Sequence, residues 1–284
     1  MIQQPKQKTI KNSISYQGIG LHKGQPVKLV FRPAPPDTGI VFIRTDLPDN
    51  PAIPAQVEWV IDTTRGTTLG KDQIEIHTVE HVLAAVAGSG ITNLLIEIDS
   101  IEPPAADGST RPFLEILQRA GLVEQEQACR TLVLKKAIRI REQDKFIVAL
   151  PADCFQLSFT LVYDHPAIKT QFAEYTIEPA TFAEEIAGAR TFGFLKEVER
   201  LKSMGLALGG SLDNAIVLGD KGPLNPLRFP DEFVRHKILD LVGDLALIGQ
   251  PLQAHIIAVK SGHSLNTRLA KIIKQEGRQD DSLC

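Results

Sequence analysis

The sequence predicts an α+β protein built from two similar halves that meet near residues 121–130. Three observations carry that reading. In both halves, segments of alternating apolar residues precede segments of helical periodicity, so each half runs strands, helix, strand, helix. Residues 79–120 match residues 233–275 in that order, which suggests an internal duplication, although no residue-level repeat is visible. Between the halves the chain turns polar, at Glu124-Gln125-Glu126-Gln127, as expected of a domain boundary. A chain of 284 residues is long enough for two substantial cores, and we divide it into residues 1–125 and 130–284.

The elements follow in order. Residues 26–31 and 40–44 read as strands, separated by the breaker cluster Pro33-Ala34-Pro35-Pro36-Asp37. Gly18-Ile19-Gly20-Leu21-His22-Lys23-Gly24 is a tight turn. It is not a dinucleotide fingerprint, because no βαβ unit follows it, and its His22 reads as structural. Thr78 is placed to cap a helix over 79–87, which Gly88-Ser89-Gly90 would stop. A strand over 92–98, a loop over 102–108 and a helix over 112–120, with Pro112 in its first position, complete the first half. In the second half the pattern predicts strands over 131–140, 146–150 and 155–163, and a helix over 181–189. An inserted βαβ unit at about 191–219 then has its helix over 194–204 and a strand over 213–218. A helix running from the cap Asp231 to the stop Gly249 follows, then a strand over 254–259 and a helix over 265–275.

Composition narrows the function classes. Hydrophobic residues make up 43% and charged residues 23%, ordinary values for a soluble globular protein. A net charge of −3 argues against broad nucleic-acid binding, while leaving room for a local basic pocket for a phosphorylated small molecule. No apolar run approaches the ~18 residues of a membrane span, and residues 1–16 lack the apolar stretch of a secretory signal. Cys129, Cys154 and Cys284 show no paired spacing, so neither a disulfide framework nor a cysteine-rich zinc site is expected. The expected compartment is a reducing cytosol, and any metal must be held by histidine and carboxylate.

Such groups exist. His236, Asp240 and Asp244 fall four apart and line one face of the helix 231–249. An imidazole and a carboxylate one turn apart can grip a divalent ion, and a second carboxylate can orient another group. Two facing α+β layers would set Glu80 and His81 opposite them. His81, His236 and Asp240 then make three ligands with one position open for water, and Glu80 could take a proton from that water. His263 lies between a strand and a helix, where Asp244 could hold its tautomer. Each residue also has a plainer role. Glu80 could simply complement a helix dipole, and His77 with His81 forms a competing i,i+4 couple. His263 could be a helix-start neighbour without chemistry, and Lys237 a solvated lysine. His165 and His255 read as structural.

The order of motifs separates these alternatives. Thr78-Val79-Glu80-His81-Val82-Leu83-Ala84-Ala85 resembles the zinc-site helix of the UDP-3-O-acyl-N-acetylglucosamine deacetylases of lipid A synthesis. Phe233-Val234-Arg235-His236-Lys237 with Asp240 and Asp244, and Lys260-Ser261-Gly262-His263, resemble the same family. So do Gly18-Ile19-Gly20-Leu21-His22, Thr67-Thr68-Leu69, Asp107-Gly108-Ser109, Ala189-Arg190-Thr191-Phe192-Gly193 and Gly209-Gly210-Ser211-Leu212-Asp213-Asn214-Ala215. They occur in family order from residue 18 to 266.

The resemblance implies two domains, each a sheet backed by two helices, with the active site between them. It implies Zn2+ (or Fe2+ in the cell) on His81, His236 and Asp240, Glu80 as general base and His263 as general acid. It implies Thr191 as an oxyanion donor, Lys237 near the substrate and Asp244 as the partner of the histidine. The expected reaction releases acetate from a UDP-linked, 3-O-acylated N-acetylglucosamine, in a cytosolic monomer. A zinc hydrolase of another amide and a non-catalytic binder of nucleotide-sugar lipids with a structural metal are the alternatives. We assign an acyl passage to Phe192, Val198, Ala207, Gly210, Ser211 and Ala215, and a substrate contact to Lys260. The departures from the family are peripheral: a loop over 219–227 that looks shortened, and Arg65-Gly66 before Thr67.

Overall fold

The structure, a computed structural model, describes residues 5–281, with side chains described to Gly277; Cys284 lies outside the described residues. Strand patterning builds the first half. In Pro26–Pro33, Val27, Leu29 and Phe31 are buried while the alternating Lys28 and Arg32 are exposed, so one face of the sheet is committed to the core. The sheet order is Ile14–Ile19, Pro26–Pro33, Leu94–Ile98, Ile40–Arg44, Ala52–Pro54. Leu94–Ile98 runs antiparallel to Pro26–Pro33 and parallel to Ile40–Arg44. Helix α1 (Glu80–Gly88) precedes that central strand and α2 (Arg111–Ala120) follows it.

The second half repeats this plan, with the short Leu132–Val133 added in parallel beside its central strand. Its sheet order is Ile138–Glu142, Lys145–Leu150, Leu252–Val259, Phe155–Val162, Thr170–Thr176. The central Leu252–Val259 is again antiparallel to one neighbour and parallel to the other. A short helix α3 (Pro179–Thr181) runs into one π-helical turn, Phe182–Ile186. The inserted unit pairs Phe192–Phe194 in parallel with Ile216–Gly219 across helix α4 (Leu195–Ser203). Helix α5 (Glu232–Ala246) precedes the central strand and α6 (His263–Asp281) follows it. The internal duplication is thus a repeat of topology, which sheet geometry preserves without residue identity.

Helices α1 and α5 cross at the junction of the halves, sharing a core that includes Leu83, Val86, Leu239 and Val242. The crossing is close because position 243 has no side chain. A Cβ there would lie 2.1 Å from the Glu80 carbonyl oxygen. At the other end of α1, Gly88 makes room for Phe182 of the π turn, whose Cδ1 would lie 2.1 Å from an added Cβ. These two glycines are helical, so their use is space rather than unusual backbone angles.

Several local expectations are corrected. Thr78 does not cap α1: it has φ +53 and Val79 occupies the cap position without a side-chain bond. Pro112 stands second in α2, after Arg111. The polar residues 122–128 form a strand, Leu122–Ala128, that pairs with Lys6–Ile10 instead of acting as a bare linker. Residues 131–140 split into Leu132–Val133 and Ile138–Glu142. The strand Thr170–Thr176 gave no sequence signal because only Ala173 in it is buried, as befits a sheet edge. Before Ile216 the insert turns instead of extending, so its second strand is shorter than the pattern suggests.

The close crossing makes an outcome of unusual sign. Replacing a helical glycine with alanine ordinarily stabilises by about 1 kcal/mol. Gly243→Ala should instead destabilise by roughly 1–3 kcal/mol, because the neighbour is backbone that cannot rotate away. A lowered urea midpoint checks this; a raised midpoint would show that α1 and α5 can separate freely.

Candidate active site

The i,i+4 face of α5 carries His236, Asp240 and Asp244 inward, all buried. Asp231 starts that helix without capping it, its carboxylate instead taking a 2.6 Å bond from Arg235. The helix entry is anchored by Glu232, fully buried, which receives Arg190 Nε at 2.8 Å and the Arg190 backbone N–H at 3.0 Å. Thr191, the next residue, is then fixed between halves. Its N–H donates to Gly108 at 2.8 Å, and its carbonyl accepts from Ile216 at 2.8 Å.

His81, in the first turn of α1, reaches the same spot from the other half. His81 Nε2 and His236 Nε2 lie 3.6 and 3.3 Å from Asp240 Oδ1, and one ligand atom from each residue lies within 4.8 Å of the others. Two ligands about 2.1 Å from a tetrahedral ion stand about 3.4 Å apart, so the spacing fits a divalent metal. The chemistry fits as well. His236 Nδ1 is bonded to the Ala189 carbonyl at 3.1 Å, which places the proton there and leaves the Nε2 lone pair free. Burial lowers the His236 pKa to about 3 against the opposing pull of Asp240, so the ring is neutral. Asp240 is held well below the ordinary carboxylate range: burial would raise it, but His236 and Lys237 outweigh burial. Lys237 Nζ pairs with Asp240 Oδ2 at 2.7 Å. His77 stands apart, bonded to Glu75 at 2.9 Å.

Two further ionisable groups flank the three candidate ligands. Glu80 is buried, which raises its pKa against the opposing pull of His263 and His81. Thr67 donates its backbone N–H to Glu80 Oε2 at 2.9 Å. His263 begins α6 and directs Nδ1 to Asp244 Oδ2 at 2.9 Å, leaving Nε2 as its other nitrogen. Burial of His263 favours the neutral ring, but the carboxylates of Asp244, Glu80 and Asp240 prevail and raise its pKa to about 10. Around neutral pH His263 is therefore a cation. The site can thus offer a carboxylate, an imidazolium and a three-ligand cation seat within one enclosure.

That enclosure is a cavity of about 590 Å3. It brings together Glu80, His81, Thr191, Phe192, Val198, Ala207, Gly210, Ser211, Ala215, His236, Lys237, Asp240 and His263. Asp244 sits behind it, fully buried. Lys260 does not line it; its ammonium is paired with Asp144, and its φ of +54 turns the chain toward His263. Sequence reasoning missed other walls. His22 lines the cavity, with Nδ1 buried and without a hydrogen-bond partner, and so does Tyr163, edge-on to Phe192 at 5.9 Å. Leu212 and Leu224 line it too, half-exposed on short loops whose periodicity carries no signal. A second cavity, about 300 Å3 and largely apolar, lies at the far end of the α1–α5 pair.

Comparison with known proteins meets this geometry from a separate direction. The family model described as UDP-3-O-acyl N-acetylglycosamine deacetylase matches residues 7–275. A UDP-3-O-acyl-N-acetylglucosamine deacetylase of Myxococcus xanthus is 50% identical over 272 residues, covering 95% of this chain and 87% of that one. Proteins of the same name from Marinobacter nauticus and Syntrophus aciditrophicus are 46% and 44% identical, each over 95% of this chain and over 90% and 86% of their own lengths. The match spans both halves, the insert and both helices that supply the candidate cation seat. The chain belongs to the UDP-3-O-acyl N-acetylglycosamine deacetylase family.

Proposed function

We propose that this chain hydrolyses the acetamide of a UDP-linked 3-O-acyl-N-acetylglucosamine, releasing acetate and leaving a free amine, an early step of lipid A synthesis. The observation that carries this reading is the convergence of His81, His236, Asp240, Glu80 and His263 on one cavity that continues between the apolar side chains of the insert. A divalent ion on the two histidines and the aspartate would supply a Lewis acid for the amide carbonyl and the attacking water. Zn2+ suits two imidazoles and one carboxylate, and Fe2+ accepts the same set.

The protein's own groups move the protons. Glu80 Oε1, free of a hydrogen bond, takes a proton from water as its oxygen adds to the carbonyl carbon. The Thr191 hydroxyl donates to the carbonyl oxygen as negative charge builds on it, and the Lys237 ammonium adds a nearby positive charge. His263 Nε2 gives its proton to the amide nitrogen as the C–N bond breaks, because an amine leaves poorly without one. Asp244 keeps Nδ1 protonated throughout and stabilises the cation. One water is consumed, and the proton held by Glu80 can return to His263 or to solvent.

The insert supplies the acyl passage. No residue of α4 is buried, although its Leu195, Val198 and Leu201 share an apolar face. Those three side chains line the cavity together with Ala207, Ser211 and Ala215, which supports a passage over ordinary core packing. We also infer that the enzyme works as a cytosolic monomer. Both parts of the site come from one chain, Cys129 and Cys154 are free thiols, and no helix among the described residues is long and apolar enough to cross a membrane.

Three outcomes test these assignments. Purified His81→Ala, His236→Ala and Asp240→Ala should each fall well below one metal per chain by mass spectrometry, whereas His77→Ala should keep about one. Metal lost from the His77 variant but kept in His236→Ala would move the site to the His77–His81 couple.

Acetate release should follow a bell-shaped pH profile. Glu80 must be ionised, and burial raises its pKa, so the acid limb should lie above the ordinary carboxylate range. His263 must be protonated and its pKa is raised to about 10, so activity should persist through neutral pH and fall only as alkaline pH removes that proton. Glu80→Ala and His263→Ala should each retain metal and lose about 10²–10⁴-fold in kcat/KM. An active His263→Ala enzyme with an unchanged alkaline limb would remove histidine from the acid role.

Ala215→Trp should narrow the passage. Excluding about four methylenes forfeits about 3 kcal/mol, roughly a hundredfold in kcat/KM for a long-acyl substrate, with little change for a short-acyl analogue. Position 215 is the better probe, since Ala207 has φ +53 and a larger residue there would be strained. Equal losses for both substrates would return the insert to core packing.

A further inference from the structure

Thr67 stands fully buried just before the strand Thr68–Lys71, outside the ligand set, yet it ties together both proton-handling arms. Its backbone N–H donates to Glu80 Oε2 at 2.9 Å, and its carbonyl accepts from the Val79 N–H at 3.1 Å, which locks it to the first turn of α1. Its hydroxyl meets Asp244 Oδ1 on α5 at 2.6 Å, across a sequence separation of 177 residues. A carboxylate can only accept, so Thr67 is the donor. Asp244 Oδ2 receives His263 Nδ1 at 2.9 Å and Asn266 Nδ2 at 2.8 Å, and the Asn266 amide is oriented by Ser261 Oγ on its Oδ1 at 2.6 Å.

We propose that Thr67 is a positioning residue for the reaction, setting the Glu80 carboxylate and the Asp244–His263 pair in one fixed register through its amide and its hydroxyl. This rests on the deacetylase reading of the site. The bond on Oε2 leaves Glu80 Oε1 to face water, and Gly66 keeps that oxygen clear, since a Cβ there would lie 3.1 Å from it. The hydroxyl on Oδ1 fixes the rotation of the Asp244 carboxylate, so that Oδ2 stays in line with His263 Nδ1 and Nε2 stays aimed at the leaving nitrogen. Without the hydroxyl, Oδ1 is a buried acceptor without that donor, the carboxylate is free to turn, and His263 drifts with it. Thr67 makes no bond to His81, His236 or Asp240, so its loss acts on proton transfer and not on the cation seat.

The test compares Thr67→Val, which replaces the hydroxyl by a methyl of similar size, with Thr67→Ser, which keeps the hydroxyl. Thr67→Val should lower kcat for acetate release about 10- to 100-fold, with KM within about threefold and about one metal per chain retained. Thr67→Ser should restore kcat to within about threefold of the wild type. In an Asp244→Asn background the valine substitution should cost little more, because the two residues act as one unit. A valine variant with wild-type kcat overturns the proposal, as does a serine variant as slow as valine or a full second penalty in the Asp244→Asn background.

A readout without turnover covers the remaining cases. In protein labelled with 15N-histidine, the low-field His263 Nδ1 proton signal should shift in Thr67→Val and return in Thr67→Ser. If the valine variant does not fold, the serine variant still decides, since its signal and kcat must stay near wild type. Wild-type protein that releases no acetate from the UDP-sugar would defeat the deacetylase reading alone, and the histidine signal would still decide the role of Thr67.

Discussion

The close approach of α1 to α5 is the constraint on which the rest depends. The proposed cation seat takes His81 from one helix and His236 and Asp240 from the other, so it depends on one helix separation. Gly243 sets that separation by admitting the Glu80 carbonyl against the α5 backbone. Glu80 thereby has two parts to play. Its main chain is the contact that fixes the spacing, and its side chain is the carboxylate that the spacing delivers to the site. The repeated topology explains why both helices arrive there. Each precedes the central strand of its own sheet, and the first turn of α1 lies against Gly243 in the last turns of α5.

Burial then determines the electrostatics. Asp240, Asp244 and Glu80 are all withdrawn from water, and the cations at hand are Lys237 and His263. Three buried carboxylates against two monovalent cations leave an uncompensated negative charge, which a divalent ion would more than offset. The same imbalance holds His263 protonated to about pH 10. At His236 burial outweighs the pull of Asp240 and lowers the pKa to about 3, which leaves the ring neutral, as a metal ligand would need. The two histidines thus take opposite protonation states, because Asp244, Glu80 and Asp240 together outweigh burial at His263 whereas Asp240 does not at His236.

Much of the site was legible because helical spacing is local. His236, Asp240 and Asp244 had to share a face once the helix was recognised, and Glu80 and His81 had to start another. The strand Ile40–Arg44 was found to the residue because it is apolar up to Arg44 and bounded by turns. What was not legible depends on distant pairing or on unusual backbone. Thr67 looks like any strand-edge threonine until Asp244 is brought to it from the other half. Thr78 has the ordinary look of a cap, but its positive φ turns it out of that position. Tyr163 follows the strand Phe155–Val162, whose pattern is satisfied without it, and only the insert's Phe192 and Phe194 reveal that it faces the cavity. Lys260 is near His263 in sequence, but its ammonium is paired with Asp144 on another loop.

Diffraction from crystals grown with Zn2+ and measured on both sides of the zinc absorption edge is the most direct test of the shared seat. The expected result is a single strong anomalous peak about 2.0–2.2 Å from His81 Nε2, His236 Nε2 and an Asp240 oxygen, with Glu80 and His263 beside it but not bound. A peak held by His77 or His22, or one that includes Glu80 as a ligand, would contradict it.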